Sequence, residues 1–199
     1  VNDAPLFYNA GSTGSRAWEP KNYDGKFEGP MTLRRALAKS KNMVSIRVLE
    51  SVGTHYAQDW LTNFGFDAAK HLPYLPMALG AGSVTPLQMA DGYAVFANGG
   101  YRVNPYLITK VTDQMGKVLS EFTPPPLDES ARAIDERNAF IMNTMMQDVV
   151  RSGTATKALR LKRTDLAGKT GTTNDSHDAW FAGYSPRVAG VAWVGFDQP

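Results

Sequence analysis

The segment between residues 31 and 152 is dominated by apolar residues that recur every three or four positions, which is the spacing of one helix face. Residues typical of helix starts and ends divide it. Thr32 is a good cap for the first helix, and Gly53 and Gly65 are good ends for the second and third. We therefore predict five helices. The first begins at Met31, and the others span about 44–52, 54–64, 86–97 and 135–151.

The pattern changes on both sides of these helices. Residues 1–30 are rich in Gly, Pro, Asn and Ser with aromatic residues among them, which predicts an ordered but irregular loop. Residues 31–165 form the mainly helical part, and residues 166–199 form a β-rich part. Helices followed by antiparallel strands favour an α+β fold over an alternating α/β fold. Strands are predicted near 107–111, 118–122, 166–173, 178–184 and 187–196.

The composition narrows the chemistry without identifying it. The chain has 199 residues, of which 43% are hydrophobic and 20% charged, as in ordinary globular proteins. A net charge of +2 is too small to indicate a nucleic-acid partner. The lack of cysteine excludes disulfides, thiolate catalysis and cysteine-ligated zinc. No stretch approaches the ~18 apolar residues that span a bilayer.

The most informative stretch is Lys169-Thr170-Gly171-Thr172-Thr173, which lies next to the apolar run 179–184. An ammonium group supplies a positive charge, and threonine hydroxyls can donate hydrogen bonds to a carboxylate. A glycine leaves room for a substrate backbone to approach a strand edge. The alternative is an ordinary surface strand with a lysine and a glycine bulge, and the short motif by itself favours that alternative.

A second polar triplet, Ser40-Lys41-Asn42, interrupts the helical pattern. Such a triplet could hydrogen-bond a nucleophile, carry a proton and hold a substrate amide. The alternative is an exposed turn between helices, capped by Ser or Asn. A third segment, Gly153-Thr154-Ala155, follows the longest helix and is interpreted mainly as a helix end, with a supporting loop at the site as the lesser alternative.

The histidines do not indicate a metal site. His55, His71 and His177 are widely separated, whereas a metal needs three or four convergent ligands. The segment 175–178 is predicted to be a polar turn. Spacing leaves a Ser-His-Asp triad open, but no Gly-x-Ser-x-Gly nucleophile elbow occurs. We predict neither a metal nor another cofactor.

In combination, these segments resemble a known family. Ser40-Lys41-Asn42 lies about 130 residues before Lys169-Thr170-Gly171 and is similar, with it, to the second and third motifs of penicillin-binding transpeptidases. The chain is identified as a member of the bifunctional class A penicillin-binding proteins, of the 1A type, over essentially its whole length. Further segments carry the likeness: residues 37–42, 79–86, 98–100, 153–155 and 178–186.

This resemblance implies a fold and an activity. The fold is the α+β penicillin-recognising (β-lactamase-like) fold, here expected to be a partial transpeptidase domain incomplete at both ends. The activity is peptidoglycan cross-linking, in which a serine attacks a D-Ala-D-Ala bond and the acyl group passes to an amine. Stem peptides and β-lactams are the implied ligands. The implied longer protein is anchored on the periplasmic side of the bacterial inner membrane and also carries a glycosyltransferase domain, with no nucleic-acid partner.

The resemblance also implies roles for individual residues. Ser40 would relay protons with the nucleophile's lysine, and Asn42 would orient the acyl group's amide. Lys169 would hold the terminal carboxylate together with nearby hydroxyls, and the backbone at Thr172 could donate to the oxyanion. The implied substrate-binding residues form one stretch: Thr170, Gly171, Thr172 and Thr173.

One family motif is missing from the chain. No serine is followed three residues later by lysine, and Thr154-Ala155-Thr156-Lys157 has the spacing but the wrong nucleophile. We expect the Ser-x-x-Lys motif upstream of Val1, together with the anchor and the glycosyltransferase domain, so the isolated chain is expected to be inactive. Two alternatives remain open: a non-catalytic peptidoglycan-binding module, and a DD-carboxypeptidase or β-lactamase on the same fold.

Overall fold

A computed structural model describes residues 1–10, 16–173 and 177–196. The five predicted helices are confirmed, with the bounds α1 Leu33–Lys39, α2 Asn42–Val52, α3 Thr54–Leu61, α4 Pro86–Ala97 and α5 Glu136–Ser152. Short 3-10 helices occupy Thr62–Phe64, Ala68–Lys70, Leu75–Leu79, Glu129–Ala131 and Thr156–Leu161. No helix within the described ranges has the length and apolarity needed to cross a membrane.

The helix boundaries follow from local capping. The Thr32 hydroxyl accepts the backbone N–H of Arg35 and starts α1, as the sequence predicts. At the start of α4, Thr85 and Gln88 form a reciprocal capping box in front of Pro86, whose missing N–H suits the first helical turn. Gly53 ends α2, donating its N–H to the carbonyl of Leu49.

The seven strands in the described part of the chain form three antiparallel sheets. Strand β1 (Asn2–Asp3) pairs with β2 (Gly29–Pro30), and β3 (Lys110–Thr112) pairs with β4 (Val118–Glu121). The main sheet has the order β5-β6-β7, with β5 at Ala167–Thr172, β6 at Asp178–Ser185 and β7 at Val188–Gly195. The resulting architecture is α+β, with helices on the sheet and β5 at its edge.

Two predictions in the strand regions need correction. The strand predicted over 107–111 begins only at Lys110, although the Phe122 N–H still donates to the Thr109 carbonyl. Further along this register Leu107 would face Pro124, which has no N–H to donate to the ladder. The loop predicted over 1–30 contains the short β1–β2 pairing, which its composition does not show.

The N-terminal segment, described at residues 1–10 and 16–30, packs against the helices. Tyr8 and Trp18 stack with ring centroids 5.9 Å apart, and Tyr8 packs in a buried cluster with Met43 and Ile46 of α2. The segment is therefore part of the core at α2.

Helix α5 lies between α1 and the main sheet. Val149 is fully buried in a cluster packed by Leu37 of α1 and Phe181 of β6. One turn earlier, Met146 packs against Tyr184 near the end of β6. This packing brings the C-terminal end of α1 next to the edge strand β5.

Candidate active site

The end of α1 and the edge strand β5 meet at Ser40. Lys169 Nζ donates a hydrogen bond of 2.7 Å to Ser40 Oγ across 129 residues of sequence, and a second bond of 2.9 Å to the Thr170 carbonyl. Two of the residues singled out in the sequence therefore lie in direct contact. The contact joins the helical part of the chain to the sheet.

Ser40 holds an unusual backbone conformation. Its φ of 54° and ψ of 51° are left-handed, and its N–H donates to the Leu37 carbonyl at the end of α1. This conformation costs a residue other than glycine about 1–2 kcal/mol. Such strain persists where the surroundings hold the residue in place, and it is concentrated at functional sites.

Lys169 is a half-buried cation. Burial lowers the pKa of its ammonium group to about 8, because the charged form loses hydration. Its described hydrogen-bond partners are the neutral Ser40 hydroxyl and the Thr170 carbonyl. The site thus combines a hydroxyl with an ammonium group that is ready to receive an anion.

The loop after α5 contacts both α1 and β5 beside the Ser40–Lys169 hydrogen bond. Thr154 Oγ1 lies 2.5 Å from Thr170 Oγ1, and the Thr154 N–H donates to the Ala38 carbonyl. A Cβ at Gly153 would lie 2.2 Å from the Ala38 oxygen, so the two backbones approach where only glycine fits. Thr154 therefore supports the site as well as following the helix end, which was the lesser alternative. Its signals in the sequence were the adjoining Gly-Thr pair and the family likeness of residues 153–155.

The edge of β5 is open in the described part of the chain. The Thr173 N–H donates to the Asp178 carbonyl, so the alternation of the strand turns the Thr172 N–H towards the open edge. A Cβ at Gly171 would meet only Trp180 Cβ, at 3.5 Å. Crowding by the described residues therefore does not require a glycine here.

The side chains of Thr173 and Asn42 are hydrogen-bonded within the chain, whereas the resemblance assigns both residues to the substrate. The Thr173 hydroxyl accepts the Asp178 N–H at 2.8 Å and so belongs to the β5–β6 connection. Asn42 is the first residue of α2, and its Nδ2 donates to the Lys21 carbonyl at 2.8 Å.

The alternative of an exposed turn at Ser40-Lys41-Asn42 is wrong for its middle residue. The Lys41 side chain is 1% exposed and contacts carboxylates of the N-terminal segment. The sequence offered no signal for this, because the partners lie far away in the chain. Lys41 is therefore unavailable for the proton transfer that the triplet suggested.

Among the described residues, no group of three His, Cys, Asp or Glu side chains is arranged to hold a metal ion. At the predicted polar turn, Asp178 Oδ1 accepts the indole N–H of Trp193 at 2.7 Å. Asp175 and Ser176 lie outside the described residues.

Fold and site together define the class: these are features of the α+β penicillin-recognising proteins. The family model of the penicillin binding protein transpeptidase domain matches residues 2–195. The chain belongs to this family.

Individual relatives agree with this assignment. Penicillin-binding protein 1A of Neisseria flavescens is 52% identical over all of this chain, and that of Pseudomonas aeruginosa is 41% identical. The crystal structure of penicillin-binding protein 1A from Haemophilus influenzae superposes on the whole chain with a TM-score of 0.90 and 33% identity, the chain covering 34% of it. The chain spans 25% and 30% of the two sequence relatives.

Proposed function

We propose that the protein containing this chain is a serine-type peptidoglycan DD-transpeptidase and that the chain supplies the second and third motifs of its active site. The observation that carries the proposal is the Lys169–Ser40 hydrogen bond beside the open edge of β5. It places a proton-carrying hydroxyl and an anion-binding ammonium group at one end of a strand with free backbone groups. These groups suit acyl transfer from the last peptide bond of a peptide that ends in a carboxylate.

The proposed reaction has two steps. A serine supplied by another part of the longer protein attacks the carbonyl carbon of the penultimate D-alanine, and terminal D-alanine leaves after taking up a proton. An amine of a second stem peptide then attacks the acyl-enzyme and restores the serine. Penicillin would acylate the same serine, with its ring amide in place of the scissile bond.

Residues of this chain bind and orient in both steps. The Lys169 ammonium and the hydroxyls of Thr170 and Thr172 hold the terminal carboxylate. Ser40 Oγ passes the proton between the nucleophile and the leaving amine, and Asn42 orients the acyl amide, which requires its amide to leave the Lys21 carbonyl. The Thr172 N–H, on the open edge, stabilises the oxyanion.

We extend the proposal to the longer protein. Its relatives are named penicillin-binding protein 1A, which supports a periplasmic location, a membrane anchor and a glycosyltransferase domain outside this chain. Peptidoglycan stem peptides and β-lactams are its proposed ligands, and residues 1–199 form part of one transpeptidase domain.

The test is product analysis. The longer protein, given a pentapeptide stem and an amine acceptor, should release one D-alanine for each cross-linked product. Release of D-alanine with only hydrolysed stem would favour a DD-carboxypeptidase. Binding of stem peptide without release would favour a non-catalytic module.

A further inference from the structure

Lys41 is a buried cation enclosed by carboxylates. Its Nζ lies 2.9 Å from Asp24, 3.3 Å from Glu28 and 3.5 Å from Asp3, and it donates to the Lys26 carbonyl at 3.1 Å. Burial alone lowers the pKa of Lys41, but the hydrogen bonds to Asp24 and Glu28 outweigh burial and raise it. Lys41 therefore stays charged, unlike a buried lysine without partners. We call Lys41, Asp3, Asp24 and Glu28 the carboxylate cage.

The carboxylate cage is built by the N-terminal segment and closes on α2. Asp3 is 0% exposed and accepts hydrogen bonds from Asn22 Nδ2 at 2.7 Å and from the Glu28 N–H at 3.0 Å. Asn22 in turn accepts the Met43 N–H at 3.4 Å, at the first turn of α2. Lys41 and Met43 are thus both bound to residues 3–28. The segment on either side of Asn42 has little freedom.

Interactions on both sides restrain the position of Ser40. On one side, Ser40 is the C-cap of α1, and the Lys41 N–H donates to the Ala36 carbonyl. On the other side, the carboxylate cage holds the Lys41 side chain. The left-handed backbone of Ser40 directs its Oγ to Lys169, so a shift of Lys41 would move that hydroxyl.

We propose that Lys41 is a positioning residue, whose enclosure by Asp3, Asp24 and Glu28 holds the left-handed turn at Ser40 and so sets the position of Ser40 Oγ for proton transfer. The inference rests on the proposed function, because it assigns a role at the same site. It also gives the N-terminal segment a part in catalysis. A purely structural ion pair would affect how much protein folds, but not how fast each folded molecule reacts.

The test is the kinetics of acylation of the longer protein by a fluorescent penicillin, separated into the limiting rate constant and the half-saturating concentration. Lys41→Met should lower the limiting rate constant about 10- to 100-fold, because misplacing a catalytic group by about 1 Å has effects of that size. The half-saturating concentration should change less than about threefold, because Lys169 still binds the carboxylate. The final labelled amount gives the folded fraction.

Lys39→Met is the matched control. Lys39 pairs with Glu28 at 2.8 Å but is 40% exposed and lies outside the carboxylate cage. Exposed ion pairs contribute little, so its limiting rate constant should stay within about twofold. Asp24→Asn is the second cage variant, since Asp24 is 48% exposed and its replacement disturbs packing least. It should slow acylation at least about threefold with full labelling. The effect should be smaller than that of Lys41→Met, because only one charge at a half-exposed position is removed.

The outcomes separate clearly. A Lys41→Met protein that labels fully at the unaltered rate would overturn the inference. If Lys41→Met does not fold, an unaltered rate in Asp24→Asn would overturn it, and a slower rate with full labelling would support it. No labelling of the unaltered protein would overturn the proposed function itself.

Discussion

At the scale of single residues, the half-buried Lys169 and the buried Lys41 have opposite electrostatic environments. Lys169 contacts neutral groups, and burial lowers the pKa of its ammonium to about 8. Lys41 is surrounded by carboxylates, which outweigh the opposing effect of burial and raise its pKa. A cation that is shielded from water and has no carboxylate partner can still bind an anion, whereas one that is already paired with carboxylates cannot. Lys169 is therefore suited to bind a substrate carboxylate, and Lys41 to hold a turn.

Replacing Lys169 by methionine should stabilise the transpeptidase domain while removing its activity. In the folded state the pKa of Lys169 is about 8, below the ordinary lysine value of 10.5, so the folded state binds this proton less well than the unfolded state. The cost of burying the charge is fully present below pH 8 and disappears as the pH rises towards about 10.5. Lys169→Met should thus raise the free energy of unfolding at pH 7 by about 1–3 kcal/mol.

Urea unfolding of both proteins at pH 7 and pH 10 measures this difference. The gain should shrink at pH 10. A Lys169→Met protein less stable than the unaltered one at pH 7 would show that Lys169 has a stabilising partner that we have not identified.

Gly171→Ala should separate folding from function. The added Cβ meets only Trp180, at an ordinary contact distance of 3.5 Å, so stability should change by less than about 1 kcal/mol. Penicillin acylation should fall about tenfold or more, because a methyl group would obstruct an approaching ligand backbone. Gly190→Ala on β7, where a Cβ has nothing within 4 Å, is the control and should leave labelling unchanged. Equal labelling of both variants would argue against a ligand at the β5 edge.

At the scale of elements, the site depends on three chain segments that meet: the end of α1, the loop after α5 and the edge strand β5. The Thr154 N–H donates to Ala38 of α1, and its hydroxyl contacts Thr170 of β5. One residue thus links a helix end to a strand. The close approach at Gly153 makes this link possible.

Gly153→Ala should disrupt the close packing between α1 and the loop after α5. Its Cβ would lie 2.2 Å from the Ala38 carbonyl oxygen, a backbone atom that cannot rotate away. We expect a loss of about 1–3 kcal/mol in the free energy of unfolding and slower acylation. Chemical denaturation measures the first effect, again with Gly190→Ala as control. A fully stable Gly153→Ala protein would mean that α1 and α5 can separate without cost.

The secondary-structure elements could be predicted where they depend on residues close together in the sequence. Helical periodicity with Thr32, Gly53 and Pro86 located the helices, because caps act within one turn. The β1–β2 pairing and the burial of Lys41 were not predictable, since both depend on residues more than about ten positions away in the chain. For the candidate site, the resemblance pointed to Ser40 and Lys169, which the structure places in contact. The contact made by Thr154 needed the fold.

At the scale of the whole molecule, the N-terminal segment, the helices and the sheet converge around one short stretch, residues 40–43. Each part contributes a different constraint: the carboxylate cage, the end of α1 and the Lys169 hydrogen bond. Changes of pH that neutralise the cage should therefore act on the stability of the whole arrangement.

Acid should weaken the carboxylate cage. Hydrogen bonds from Lys39 and Arg35 lower the pKa of Glu28 to about 2, and the hydrogen bond from Lys41 lowers that of Asp24. Depressed carboxylate pKa values stabilise the folded state above the unfolded values near 4, and this stabilisation is lost as the pH falls towards the folded values. Asp24→Asn should be less stable than the unaltered protein at pH 7, with the difference shrinking towards pH 3.

Thermal unfolding at pH 7, 5 and 3 tests this. Lys110→Met, which alters an exposed ion pair with Glu121 outside the carboxylate cage, serves as the comparison. A difference between Asp24→Asn and the unaltered protein that is independent of pH would contradict the electrostatic origin.

The most direct test of the account is mass-spectrometric mapping of penicillin on the longer protein, with acylation rates for Ser40→Ala and Lys169→Met. The account predicts one penicilloyl group on a serine of a Ser-x-x-Lys motif outside these 199 residues, with both variants slowed at least about 100-fold. An adduct on a serine within this chain, or unaltered rates in both variants, would contradict it.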